Sequence, residues 1–233
     1  MIKIAIDGTA ASGKGTLAKK LAEKYGFVHL DTGLLYRKVA NELIIQKKNT
    51  EKNLAKYSFE IAKDLNFTEL KKEDLRSEKT AKLASRIATY PKLRVILNSK
   101  QKEFVNNNKT KFPGCILDGR DIGTKILPNA DFKFFIDASI DVRAKRRLLE
   151  KNISFLHEND EKCMLQSLIR EMKERDKLDS SRITSPLVPA DDAHVIDTSF
   201  IDADELLLKV TKIIEGIWRL SKYIHWFLDF PYL

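Results

Sequence analysis

The 233-residue chain has only two cysteines, Cys115 and Cys163, with six prolines, nine glycines and no long apolar run at its start. Two thiols are too few for a disulfide framework and suit a reducing compartment. So little proline and glycine excludes collagen-like and linker-dominated chains. The opening residues, MIKIAIDGTAASGKG, lack a charged leader, apolar core and small-residue cleavage site, so no secretory signal is expected. His29, His157, His194 and His225 show no ligand spacing, and no histidine metal site is expected. Charge, in contrast, is plentiful. With 32% charged and 43% hydrophobic residues, the chain can build a core and is not generally disordered. The net charge of +9 and pI near 9.4 invite a polyanionic partner such as nucleic acid. Charge spread over helices serves solubility instead, and charge gathered in a pocket binds a phosphorylated ligand. Composition leaves these open. The length suits one large α/β domain or two small ones, in a soluble cytoplasmic protein.

Short β-branched runs alternate with amphipathic stretches. Residues 2–6 read as a buried strand, and 14–25 as a helix with Leu17, Ala18, Leu21 and Ala22 on one face, ending near Gly26. A strand at 27–30 and a helix at 34–46 follow. Residues 47–111 contain no glycine and one proline, Pro91, so they are no flexible linker. They read as mainly helical, with room for one short extended piece at 65–68. Strands are expected at 115–117, 132–136 and 193–196. A helical stretch spans 141–179 with a break around 152–155, and a helix at 201–216 closes the main body. Alternating strands and helices argue for crossover units and a five-stranded parallel sheet. Each strand ends in a polar cluster, which places the chemistry at the carboxyl edge.

Gly8-Thr9-Ala10-Ala11-Ser12-Gly13-Lys14 matches G-x-x-x-x-G-K between a strand and a helix, the context this motif requires. Terminal glycines let the backbone curl around a phosphate, the helix adds its positive end, and Lys14 adds a mobile charge. The bland alternative is a glycine turn with a surface lysine. Gly15 follows Lys14 and the hydroxyl comes only at Thr16, so the usual Mg²⁺-ligand position is empty. That weakens a GTPase or motor ATPase reading, and Thr16 is expected to touch phosphate.

Three further clusters bear on an acceptor. Asp31-Thr32-Gly33-Leu34-Leu35-Tyr36-Arg37 leads into a helix, where Arg37 can pair with a phosphate or merely sit in a surface ion pair. Asp118-Gly119-Arg120-Asp121-Ile122-Gly123 packs two carboxylates and an arginine between glycines at a strand end, a costly arrangement without a ligand. Arg175, Asp179 and Arg182 are spaced by four and three and share one face if helical. A solvated ion-pair face has the same spacing. The rigid Pro186-Leu187-Val188-Pro189-Ala190 segment behind them could lock the arginines against a cleft.

These motifs, with Ile6-Asp7-Gly8, Gly15-Thr16 and Lys173-Glu174-Arg175-Asp176, resemble in order the bacterial cytidylate kinase family over roughly residues 2–215. The resemblance implies a three-layer P-loop nucleoside monophosphate kinase fold with a helical acceptor lobe and a short lid. The whole chain would be one kinase domain, its core about 1–46, 112–149 and 180–216, its acceptor region 47–111 and its lid 150–164. It implies ATP-dependent phosphorylation of CMP and dCMP, with Mg²⁺ held mainly by phosphates and water. By similarity Gly8, Thr9, Ala10, Ala11, Ser12, Gly13, Lys14, Gly15 and Thr16 bind ATP. Thr32, Tyr36, Arg37, Ser85, Arg94, Arg120, Asp121, Arg175, Asp179 and Arg182 line the acceptor site. Lys14, Arg120 and Arg175 are the catalytic group. Arg37 and Arg120 would clamp the CMP phosphate, and Ser85, Arg94 and Asp121 would read cytosine. Asp179 would meet the sugar hydroxyl, with Arg182 near the base or ribose.

A monomer is expected, with neither nucleic acid nor membrane as partner. Two departures stand out. Thr9 replaces the family's usual proline, and residues 66–76 are short where family members carry a three-stranded insertion. Rival readings are a kinase of the same fold for AMP, UMP or shikimate, and a nucleic-acid-binding P-loop protein. The arginine clusters do not suit shikimate, and a nucleic-acid surface calls for a contiguous basic face with interleaved aromatics. Residues 217–233 are too short and too charged to span a bilayer. The spacing of Ile217, Leu220, Ile224, Phe227 and Leu228 predicts a helix packed on the core.

Overall fold

A computed structural model describes residues 1–67, 70, 75, 77–153, 155, 157–182 and 184–229, with 218–229 as backbone only. Five runs become strands: β1 (Ile2–Gly8), β2 (Val28–Asp31), β3 (Gly114–Gly119), β4 (Phe132–Asp137) and β5 (His194–Asp197). All pair in parallel, in the order β2-β3-β1-β4-β5. The central strand is covered on both faces, and Ile4, Ala5 and Ile6 have no exposed surface. Burial of both faces is why this strand is a continuous apolar run without alternation. The register pairs Asp31 with Asp118, Asp7 with Gly119 and Asp137 with Asp197. Strand-ending aspartates therefore line up along one edge.

Eight α-helices surround the sheet among the described residues: α1 (Lys14–Tyr25), α2 (Gly33–Ile45), α3 (Leu54–Lys63), α4 (Glu78–Ile87), α5 (Pro91–Asn108), α6 (Ile140–Glu150), α7 (Glu158–Ser180) and α8 (Ala203–Asp229). Leu17 and Leu21 of α1 pack with Val210 and Ile214 of α8 and with Phe134 on one sheet face. Leu35, Val39, Leu93 and Leu97, from α2 and α5, cover the other with Ala5 and Leu117. A smaller cluster, Ala144, Leu148, Leu168 and Met172, joins α6 to α7 and reaches Ala10 and Ala11. Each fully buried leucine stabilises the fold by about 2 kcal/mol.

The five-stranded parallel sheet is as expected, with shifted boundaries. β2 begins at Val28 because the Phe27 amide is still spent on the Ala22 carbonyl of α1, at 2.9 Å; the Phe27 ring fills the space over Gly114, where a Cβ would lie 2.5 Å from it. The helical break falls between Glu150 and Glu158, with Asn152 at φ 50°. Residues 65–67 form no strand, and Thr68 lies outside the described residues. Arg182 does not share the helical face of Arg175 and Asp179, since α7 stops at Ser180. A π-helical turn at Ile122–Ile126 was not foreseen. Nor does the last helix stop at Gly216; α8 runs through it to Asp229. The side chains on which the expected packing of 217–233 rests lie, from 218 onward, outside the described residues. Among the described residues no helix is long and apolar enough to cross a membrane.

Candidate active site

The turn from β1 into α1 passes through Gly8, Ala11 and Gly13, at φ 146°, 59° and 93°. Glycine is required at position 8, where a Cβ would fall 1.9 Å from the Ile136 carbonyl oxygen. Two loop carbonyls are engaged within the protein. Thr9 O accepts from Ser12 Oγ at 3.0 Å and Lys14 Nζ at 3.1 Å, and Ser12 O accepts from Thr198 Oγ1 at 2.9 Å. The loop amides are then the groups available to an anion at the start of α1. Thr9 Oγ1 donates to Asp137 Oδ1 at 2.6 Å, a staple to β4 that a proline could not make. Burial, seconded by the Arg120 guanidinium, pulls the Lys14 ammonium down to about 7 against the opposing charges of Asp118 and Asp31. Thr16 is exposed on the first turn of α1.

Four side chains at or near strand ends border the site without an individual role assigned from the sequence: Asp7, His29, Asp31 and Asp118. Asp7 accepts from the Ile122 and Gly123 amides at 2.8 and 2.7 Å, although burial pushes its carboxyl up to about 6. That bond pair fixes the start of the π-helical turn and so the position of Arg120 and Asp121. The buried Asp118 carboxylate meets His29 Nε2 at 2.7 Å, and its carbonyl accepts from Thr32 Oγ1 at 2.9 Å. Burial and the neighbouring Asp118 charge raise Asp31 above the ordinary carboxylate value. The usable signal was position: each closes, or nearly closes, a parallel strand.

On the β2–β3 side the expected acceptor residues meet in two linked networks. Arg120 Nε donates to Asp179 Oδ2 at 2.9 Å, Arg182 Nη2 to Asp179 Oδ1, and Arg175 Nε approaches Asp179 Oδ2 at 3.9 Å. Arg182 reaches this carboxylate from beyond the helix because the chain folds back, with Leu187 N–H on the Asp179 carbonyl at 2.9 Å. Burial pushes the Asp179 carboxyl up, but Arg120, Arg182 and Arg175 together hold it below its ordinary value. Burial, then repulsion from Arg120, lowers Arg175 to about 10.

In the second network Arg94 Nη2 donates to Asp121 Oδ2 at 2.7 Å with both side chains buried. The Arg94 guanidinium lies 5.7 Å from the centre of the Tyr36 ring. Tyr36 Oη and Ser85 Oγ are buried without a hydrogen-bond partner, and burial pushes the Tyr36 hydroxyl up to about 12. Ser85 is carried by α4, which packs on α2. Arg37 Nη1 donates to the Leu75 carbonyl at 3.0 Å. Arg143 and Arg146 of α6, read from the sequence as part of a charged helical stretch, instead hold the phosphate loop from outside.

A phosphate seat on one side of Lys14 and a half-buried arginine cluster on the other define a P-loop phosphotransferase with a small phosphorylated acceptor. A profile of the cytidylate kinase family matches residues 4–216. "Cytidylate kinase" of Bartonella quintana is 46% identical over 216 residues, covering 92% of this chain and 94% of the relative. Those of Bartonella bacilliformis and Methylocella silvestris are each 42% identical, covering 92% and 91% of this chain and 94% of each relative. The chain belongs to the cytidylate kinase family and is a nucleoside monophosphate kinase. A crystal structure of an uncharacterized protein from Eubacterium ventriosum superposes with a TM-score of 0.50 at 20% identity. It covers 92% of this chain and 99% of that one, and bears on the fold alone.

Proposed function

We propose that this enzyme transfers the γ-phosphoryl group of ATP to the phosphate of CMP or dCMP, giving ADP and CDP or dCDP. The observation that carries the reading is the arginine cluster around Asp179, set beside Lys14 and next to a buried Arg94–Asp121 pair. The first group matches two phosphates, and the second a polar base edge. Lys14 and the loop amides hold the donor phosphates. Arg37 and Arg120 bind the acceptor phosphate, and Arg175 bridges it to the transferred group. The rest is positioning and charge neutralisation in line, with no covalent intermediate on the protein. Cytosine presents an amino donor beside ring acceptors, which Asp121, Ser85 and Arg94 complement. The orphaned Ser85 hydroxyl is then satisfied by ligand, as a buried polar group requires. Asp179 takes the sugar hydroxyl.

ATP is used with Mg²⁺ in this reading. Asp31 and Asp118, both beside Lys14, fit the water shell of a divalent cation. Two carboxylates are too few to enclose one, so phosphate oxygens and water supply the other ligands. Once bound, the cation neutralises phosphate charge. Residues 47–111 act as the acceptor lobe and 150–164 as the lid over a core of 1–46, 112–149 and 180–216. Ser154 and Leu156 of that lid lie outside the described residues. Both cysteines are free, in keeping with work in the reducing cytoplasm. An ADP-release assay with CMP, dCMP, UMP, AMP and shikimate tests the proposal. CMP and dCMP should give the highest kcat/KM. No acceptor-stimulated turnover would overturn the kinase reading, and a preference for AMP the cytosine assignment.

A further inference from the structure

Helix α6 opens on a capping serine, Ser139, whose hydroxyl accepts from the Val142 amide at 3.4 Å. Cations near a helix N-terminus oppose its dipole, yet Arg143 and Arg146 occupy the first two turns. Both point at the phosphate loop. Arg143 is buried and divides its guanidinium three ways: Nε to the Ala138 carbonyl at 2.9 Å, Nη1 to the Ala10 carbonyl at 3.5 Å, and Nη2 to Asp176 Oδ2 at 2.7 Å. Arg146 reaches the Ser12 carbonyl at 3.5 Å and the Thr198 carbonyl at 2.6 Å. Arg143 thus hydrogen-bonds the donor loop and α7 at once.

The residue it holds there is the immediate neighbour of Arg175. Successive helical side chains point about 100° apart. A carboxylate fixed on Arg143 therefore dictates the direction in which Arg175 leaves the helix. Arg175 has little else to orient it: its Nε is buried without a hydrogen-bond partner, and its ion pair with Asp179 spans 3.9 Å. Stability is a poor account of the Arg143–Asp176 pair. Buried ion pairs seldom outperform apolar packing, and here Asp176 Oδ1 is left without a hydrogen-bond partner.

We propose that Arg143 and Asp176 form a positioning pair that sets Arg175 in register with the phosphate loop. The pair touches neither substrate. It makes the distance between the donor seat and the bridging guanidinium a property of the protein rather than of bound ligand. The proposal rests on the role given to Arg175 above, and its test separates the two.

The test measures kcat and both KM values for Asp176→Ala, Arg175→Ala and the double variant. Asp176→Ala should lower kcat by about 10- to 100-fold, the range a small misplacement costs. KM for ATP and CMP should stay within about twofold of the parent, because Lys14, Arg37 and Arg120, which hold the two phosphates, are untouched. In the Arg175→Ala background the second substitution should change kcat by less than about twofold. Asp176→Asn, which keeps the side-chain volume, should show the same non-additivity with a smaller loss. Full kcat in Asp176→Ala, or losses that multiply in the double variant, would overturn the positioning role while leaving that of Arg175 standing. Full kcat in Arg175→Ala would overturn the role of Arg175, and the pair's function with it.

Discussion

Replacing Asp179 by asparagine removes one charge while keeping shape, and it removes the counter-charge of three arginines. Side-chain exposure grades the contacts: Asp179 is 3% exposed, Arg182 8%, Arg120 15% and Arg175 35%. Breaking a buried pair costs about 3–5 kcal/mol. The Arg175 contact, at 3.9 Å, is too long for a hydrogen bond and adds little, so the lower end of that range applies. For a domain of this size 1 kcal/mol corresponds to about 2–4 °C in Tm, so Asp179→Asn should melt about 6–12 °C below the parent at pH 7. The pH dependence has a definite sign. The Asp179 carboxyl is held below its ordinary value in the folded state, so its contribution is present above that ordinary value. It is lost as pH falls through the depressed value. The gap in Tm should therefore narrow on acidification below about pH 4. Differential scanning fluorimetry across pH reads both quantities. Inorganic phosphate should raise the variant's Tm more than the parent's, because the freed guanidiniums recruit an anion. Equal Tm values at pH 7, or a gap that widens in acid, would refute the reasoning.

Lys14, lowered to about 7, is mostly neutral at pH 8 until phosphates arrive and restore its charge. ATP binding at pH 8 should therefore take up close to one proton, and at pH 6 almost none. Calorimetry in buffers of different ionisation heat measures this, and equal uptake at both pH values would contradict it. Gly8→Ala should be destabilised by more than about 4 kcal/mol, because its Cβ would sit 1.9 Å from a backbone oxygen at a φ of 146°. A urea midpoint equal to the parent's would show that the loop is not held against β4.

The sheet and the phosphate loop were legible because their signals are local. Buried parallel strands are short apolar runs, and G-x-x-x-x-G-K carries its own spacing. What stayed hidden depends on partners far along the chain. The π-helical turn is fixed by Asp7, 115 and 116 residues from the amides it holds. The role of the α6 arginines stayed hidden because periodicity shows that a face exists but not what it meets; it meets a loop 133 residues away. The helical spacing of Arg182 gives way to a local competition. Ser180 Oγ bonds back to the Asp176 carbonyl at 2.8 Å, and the chain then turns to lay Leu187 on Asp179. Gly216 suggested a helix end, yet it sits inside α8 with open space where a Cβ would be. A helical glycine there costs about 1 kcal/mol, too little to stop the helix.

The strand order has a consequence for how such an enzyme changes. The phosphate loop leaves the middle strand, the loop's anchors come from β4, α6 and the residue after β5, and the groups proposed to face the base come from α2, α4, α5 and the turn after β3. Selectivity and energy source are thus housed in separate territories that share one border, the end of β1. On the proposed roles, substitutions that retune which base is admitted fall outside the territory that grips ATP. One crossing is α7, whose last turns carry both Asp176, held by the donor side, and Asp179, held by the acceptor side. Variation is least free on that helix, since a change there answers to both territories at once.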